Sequence, residues 1–69
     1  MRLYSVKETS AILGVNVNKV YDLIKARQLR AMKLSSYKIP CQEIDRFIER
    51  NIGKDLSNLE VIKELYHEA

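Results

Sequence analysis

The stretch Tyr4–Leu29, YSVKETSAILGVNVNKVYDLIKARQL, carries two short helical patterns joined by the break Leu13-Gly14-Val15-Asn16. The first apolar or small stripe is Val6, Thr9, Ser10 and Leu13, spaced i, i+3, i+4 and i+7, and the second is Val20, Leu23 and Ile24. Ser5 and Glu8 have the spacing of a capping box, in which each side chain satisfies a free main-chain N–H of the other residue. Asn16 is placed to cap the second helix through its side-chain oxygen, worth about 1 kcal/mol over alanine. Gly14 stands where the first helix must end in a sharp turn, a position suited to left-handed dihedrals. Helix, glycine-containing turn and helix together predict a helix-turn-helix.

Charge follows the same division. Residues 1–38 hold eight cations against Glu8 and Asp22, a balance of +6. Residues 39–69 hold four cations against seven acids, a balance of −3, so the net +3 conceals a polarised chain. A basic half coincident with a helix-turn-helix predicts a face for a polyanion, and double-stranded DNA is the leading reading.

Downstream, Ala31-Met32-Lys33-Leu34 and Tyr37-Lys38-Ile39 alternate around Ser35-Ser36, which predicts a small β-hairpin. Favoured two-residue turns need Gly, Asn or Asp, so Ser-Ser predicts a longer or open turn. Pro40 ends the second strand and starts a third helix, whose inward stripe is Ile44, Phe47 and Ile48 and whose end is marked by Gly53. Beyond Lys54-Asp55, Ser57 and Glu60 repeat the capping-box spacing, and Leu56 and Val61 that of a hydrophobic staple. Leu59, Ile62, Leu65 and Tyr66 then predict a fourth helix. The expected fold is mainly α with a small β-hairpin, a winged helix-turn-helix in the order α-α-β-β-α-α. Residues 1–52 form the DNA-binding domain, and 53–69 a C-terminal helix that closes the core or docks a partner.

Other chemistries find no support. The single Cys41 excludes an intramolecular disulfide, and Cys41 with His67 makes no recognisable metal site. No run is long and apolar enough to span a bilayer, and the N-terminus lacks a signal-peptide core, so a cytoplasmic protein is expected. There is no nucleophile–base spacing, paired acid cluster or phosphate loop: no enzyme, no cofactor and no small-molecule ligand are expected.

The chain resembles the small winged-helix modules of the MerR-like and excisionase-like group. Tyr4-Ser5-Val6-Lys7-Glu8, Leu13-Gly14-Val15-Asn16, Val20-Tyr21-Asp22-Leu23-Ile24 and Tyr37-Lys38-Ile39-Pro40 leading to Ile44 and Phe47 carry the resemblance, which covers about Leu3 to Arg50. It implies that the second helix enters the major groove and that the hairpin is a wing lying along the backbone or minor groove. It also implies a bacterial, phage or mobile-element protein acting in transcription or site-specific recombination. Where that family commonly has arginine after the helix-two cap, this chain has Val17. Where its wing often reads Gly-Arg-Arg, this one offers Ser35, Ser36 and Tyr37.

Stepping about 100° per residue places Asn18, Tyr21 and Lys25 opposite the buried stripe, flanked by Val17 and Asp22. Asn18 suits adenine, Lys25 a phosphate or guanine, and Val17 a thymine methyl. Tyr21 either donates to a phosphate or packs on the wing. Asp22 must accept from cytosine, pair with Lys25 or Lys19, or mark the edge of the contact. Lys33 and Lys38 are phosphate candidates on the hairpin. Lys7 and Lys19 lie near helix N-termini, which favour anions. Arg27 and Arg30 either cap the second helix or bridge to the third. The leading function is an excisionase that binds and bends DNA beside an integrase, with the integrase or a second copy engaging the C-terminal helix. The alternatives are a MerR-like transcriptional regulator on promoter repeats and, in a different class, an interaction adaptor without DNA affinity.

Overall fold

A single residue, Ser5, ends a strand and starts a helix. The computed structural model describes residues 1–65. Strand β1 is Leu3–Ser5, α1 is Val6–Leu13 and α2 is Val17–Lys25. Strands β2 (Met32–Lys33) and β3 (Tyr37–Pro40) form the wing, followed by α3 (Cys41–Asn51). Two short strands, β4 (Lys54–Asp55) and β5 (Lys63–Glu64), complete the described chain.

The caps form as their side-chain chemistry dictates. Ser5 Oγ accepts from Glu8 N–H at 3.0 Å, and Glu8 Oε1 accepts from Ser5 N–H at 3.0 Å. Gly14 adopts φ 70° at the end of α1, and Asn16 Oδ1 accepts from Lys19 N–H at 2.8 Å. Helix α2 ends with Arg27 at φ 60°, the N–H of Arg27 donating to Ile24 O and that of Gln28 to Leu23 O. This is the double hydrogen bond of a Schellman turn, with arginine in the place glycine usually takes. The two small hydroxyls inside α1 turn back onto its main chain, Thr9 Oγ1 to Ser5 O at 2.8 Å and Ser10 Oγ to Lys7 O at 2.6 Å.

The core is Val6, Val20, Leu23, Leu29, Ile39, Ile44 and Phe47, with Val20 and Ile39 fully buried. It lies between the helix-turn-helix, the wing and α3. Ile48, expected on the inward stripe of α3, is exposed. The wing is one strand wider than the hairpin expected from the sequence, because β1 pairs antiparallel with β3 in a sheet ordered β1-β3-β2. Tyr4 lies opposite Ile39, Ser5 opposite Lys38, and Lys33 opposite Tyr37. Alternation therefore puts Tyr37 and Ile39 on the inward face and Lys38, with Met32 and Ser5, on the outward face.

The fourth helix is not present among the described residues. Asp55 Oδ1 accepts from both Ser57 N–H (2.9 Å) and Ser57 Oγ (2.6 Å), and Asn58 Oδ1 accepts from Glu60 N–H (3.0 Å). Those local bonds occupy the groups that the Ser57–Glu60 box and its helix would need. Neither box nor staple forms: Leu56 packs on the core while Val61 is exposed. A helix this short is marginal unless a packed face supports it. Instead β4 pairs with β5, and Leu65 N–H returns to Gly53 O at 2.7 Å. Leu56 and Leu59 lie partly buried against the core, so this hairpin covers part of it. Tyr66, assigned to the expected helix, and His67 lie outside the described residues.

Candidate nucleic-acid interface

Burial of Val20 and Leu23 fixes the rotation of α2 and leaves Val17, Asn18, Tyr21, Asp22 and Lys25 exposed on one side. Val15, just before the cap, is exposed beside them and adds a second β-branched methyl surface next to Val17. Asp22 forms no salt bridge with Lys19 or Lys25 among the described residues, whose ion pairs are Arg2–Glu8 and Glu43–Arg50.

Tyr21 meets Tyr37 edge to face, the ring centroids 6.1 Å apart and the planes at 64°. Lys33 Nζ sits 5.2 Å from the centre of the same Tyr37 ring. The row Tyr21–Tyr37–Lys33 thus makes the outer face of α2 continuous with the wing, and such pairs hold a preferred geometry through the ring quadrupole. Of the two roles open to Tyr21, the structure places its ring against the wing. Ser35 and Ser36 are exposed in the three-residue turn Leu34–Ser36, the longer turn expected of a Ser-Ser sequence. Lys38 is half-buried on the outward side of β3.

Lys7 is exposed in the first turn of α1. Beside it, Glu8 has its carboxyl held below the usual value, first by the Ser5 main-chain N–H, which with the Ser5 hydroxyl, Arg2 and Lys38 outweighs the opposing effect of desolvation. Arg2 stands 5.0 Å from the Tyr4 ring centre and 3.9 Å from Glu8. Lys19 departs from the rest. Its Nζ donates to Leu56 O at 2.6 Å, so its charge is turned toward the C-terminal hairpin and away from the outer face of α2.

The element that fixes this face against α3 escaped the sequence reading. Glu43 is only 7% exposed, and its Oε2 accepts from Arg30 N–H at 2.9 Å and from Arg50 Nη2 at 3.0 Å. Arg50 Nη2 also donates to Gln28 O at 2.8 Å. Among the described residues neither Arg27 nor Arg30 supplies the ionic tie expected of their side chains; Arg50 does, and Arg30 contributes its main chain. Burial alone would raise the Glu43 carboxyl, but the bonds from Arg50 and Arg30 and the charges of both outweigh it and hold it low. The i, i+7 spacing of Glu43 and Arg50, two turns apart on one helix face, is the signal that could have found the pair.

Among the described residues no cluster of His, Cys, Asp or Glu could hold a metal, and no helix is long and apolar enough to cross a membrane. The arrangement offers hydrogen-bond donors, methyl groups and cations together on the exposed face of α2 and the adjoining wing.

Residues 3–52 match the family described as "Helix-turn-helix domain". A protein of Streptomyces ambofaciens named "Excisionase" is 36% identical over 53 residues, covering 75% of this chain and 86% of the relative. No solved structure matches the chain. The chain belongs to the excisionase-like helix-turn-helix family, a DNA-binding and non-enzymatic type whose partner is the double helix.

Proposed function

We propose that the protein is an excisionase: it binds DNA beside an integrase, bends it, and steers recombination without catalysing it. The observation that carries this reading is the exposed outer face of α2, joined to the wing through Tyr21 and Tyr37, in a chain 36% identical to an excisionase. Val17, Asn18 and Lys25 read the major groove, Lys33, Lys38 and Lys7 hold phosphates, and Ser35 and Ser36 approach the minor groove. One domain makes about four to six phosphate contacts, so log affinity falls against log salt with a slope of roughly −4 to −5. So few contacts read too little sequence for a lone site, and copies act side by side on neighbouring sites. The hairpin after Gly53, with Val61 exposed next to Glu60 and Leu65 next to Glu64, is the surface for a second copy or the integrase.

Footprinting on the DNA flanking the gene tests the reading, with protection of repeated short sites and hypersensitive bends between them as the expected result. Asn18→Ala and Lys25→Ala weaken binding far more than Lys63→Ala, and equal losses reject this reading face. Recombination with purified integrase then separates an excisionase, which promotes excision, from a promoter-binding regulator, which leaves it unchanged.

A further inference from the structure

Leu34 lies outside the packed core of the described residues. It is 67% exposed at the wing tip and belongs neither to the buried cluster nor to the side chains packed on it. The turn needs only its main chain, whose N–H donates to Ser36 O at 3.1 Å and narrows the tip. Two further observations bear on what the side chain meets. The tip residues 34–36 carry no cation, and the nearest, Lys33, holds its ammonium 5.2 Å from the Tyr37 ring centre. Met32, two residues before Leu34 and on the adjoining edge strand β2, is also exposed. The wing therefore ends in an exposed apolar side chain followed by the small hydroxyls of Ser35 and Ser36. The tip is followed directly by Tyr37, whose ring meets Tyr21 on the outer face of α2.

We propose that Leu34 is a wedge that enters the minor groove next to the major groove occupied by α2 and partly unstacks one base step, setting the kink. Apolar side chains inserted this way unstack a step and open the duplex toward the major groove. The step is a pyrimidine–purine one, because those unstack most readily. Ser35 and Ser36 bond the acceptors that A·T pairs present in that groove. The proposal rests on the DNA-bending reading above and names the residue that produces the bend.

The test uses the full chain on a duplex carrying one protected site, with 2-aminopurine placed in turn at each step the wing covers and fluorophores at the duplex ends. The wild-type protein raises 2-aminopurine fluorescence at one step and brings the ends together. Leu34→Ala binds without either change, its affinity falling roughly tenfold on the intact duplex and about twofold or less on one mismatched at that step, where the unstacking cost is already met. Leu34→Phe keeps both signals. Unchanged circular dichroism and melting confirm that each variant is folded. A bend and fluorescence rise that survive Leu34→Ala overturn the wedge while leaving the excisionase reading intact. A wild-type complex with straight DNA overturns both. If Leu34→Ala keeps the bend but loses integrase-dependent recombination, Leu34 touches the integrase and the wedge is wrong.

Discussion

The carboxylate of Glu43, on α3, lies 2.9 Å from the main-chain N–H of Arg30, at the entry to the wing. Arg50 reinforces the contact by bonding Glu43 and Gln28 O together. One buried acid thus fixes the angle between α2, the wing and α3. Its folded carboxyl lies below its ordinary value of 4.5, so its contribution is complete above that value and is lost as pH falls through the folded one. Urea melts across this range should show wild-type stability dropping in acid, and Glu43→Gln should flatten that drop. Glu43→Ala, which strands Arg30 N–H and Arg50, should cost about 2–3 kcal/mol at neutral pH.

Tyr21 and Tyr37 should be energetically coupled. A double-mutant cycle with Tyr21→Ala and Tyr37→Ala should return a coupling of about 0.5–1.5 kcal/mol in stability. Tyr37→Ala also frees the wing from α2, and its DNA affinity should fall without a change in the base preferences set by α2. A coupling near zero would show that the two rings do not hold the wing.

Lys19 and Lys25 are six residues apart yet should respond oppositely. Removing a lysine that contacts phosphate reduces the salt slope of DNA binding by about 0.9. Lys25→Ala should show that reduction. Lys19→Ala should leave the slope unchanged and instead speed amide exchange in residues 54–65, because its ammonium is bonded to Leu56 O.

Of the three left-handed positions, Gly14 and Arg27 should give opposite signs. Gly14 has φ 70° and nothing within 4 Å of where a Cβ would stand, so Gly14→Ala carries only the backbone penalty, about 1–2 kcal/mol. Arg27 already bears that strain at φ 60°, so Arg27→Gly should stabilise by about 1 kcal/mol and raise Tm by roughly 4–8 °C. Thermal melts decide both.

The sequence discloses what neighbouring residues settle among themselves. The Ser5–Glu8 box, the Asn16 cap, the Gly14 turn and the back-bonded Thr9 and Ser10 are all bonds across three to five residues, legible from spacing. Strand β1 was hidden because three residues have no periodicity of their own, and their pairing depends on β3 more than thirty positions away. The C-terminal helix was misread because Leu59, Ile62 and Leu65 match a helical stripe, whereas Asp55 and Asn58 bind the main chain first. In the interface, the outward set on α2 followed from helix geometry alone. The commitment of Lys19 did not, since its acceptor lies thirty-seven residues away.

Ser5 is at once the last residue of β1 and the cap of α1, with no loop between them. The wing strand β3 is bonded to β1, so the wing is not a flap but a lever cast in one piece with the first helix. A mismatch between the spacing of helix and wing and the grooves they enter has no slack within the protein to absorb it. The compliant member is the duplex, whose stiffness varies with its sequence. Flanking steps that no side chain touches should therefore affect occupancy through how readily they yield.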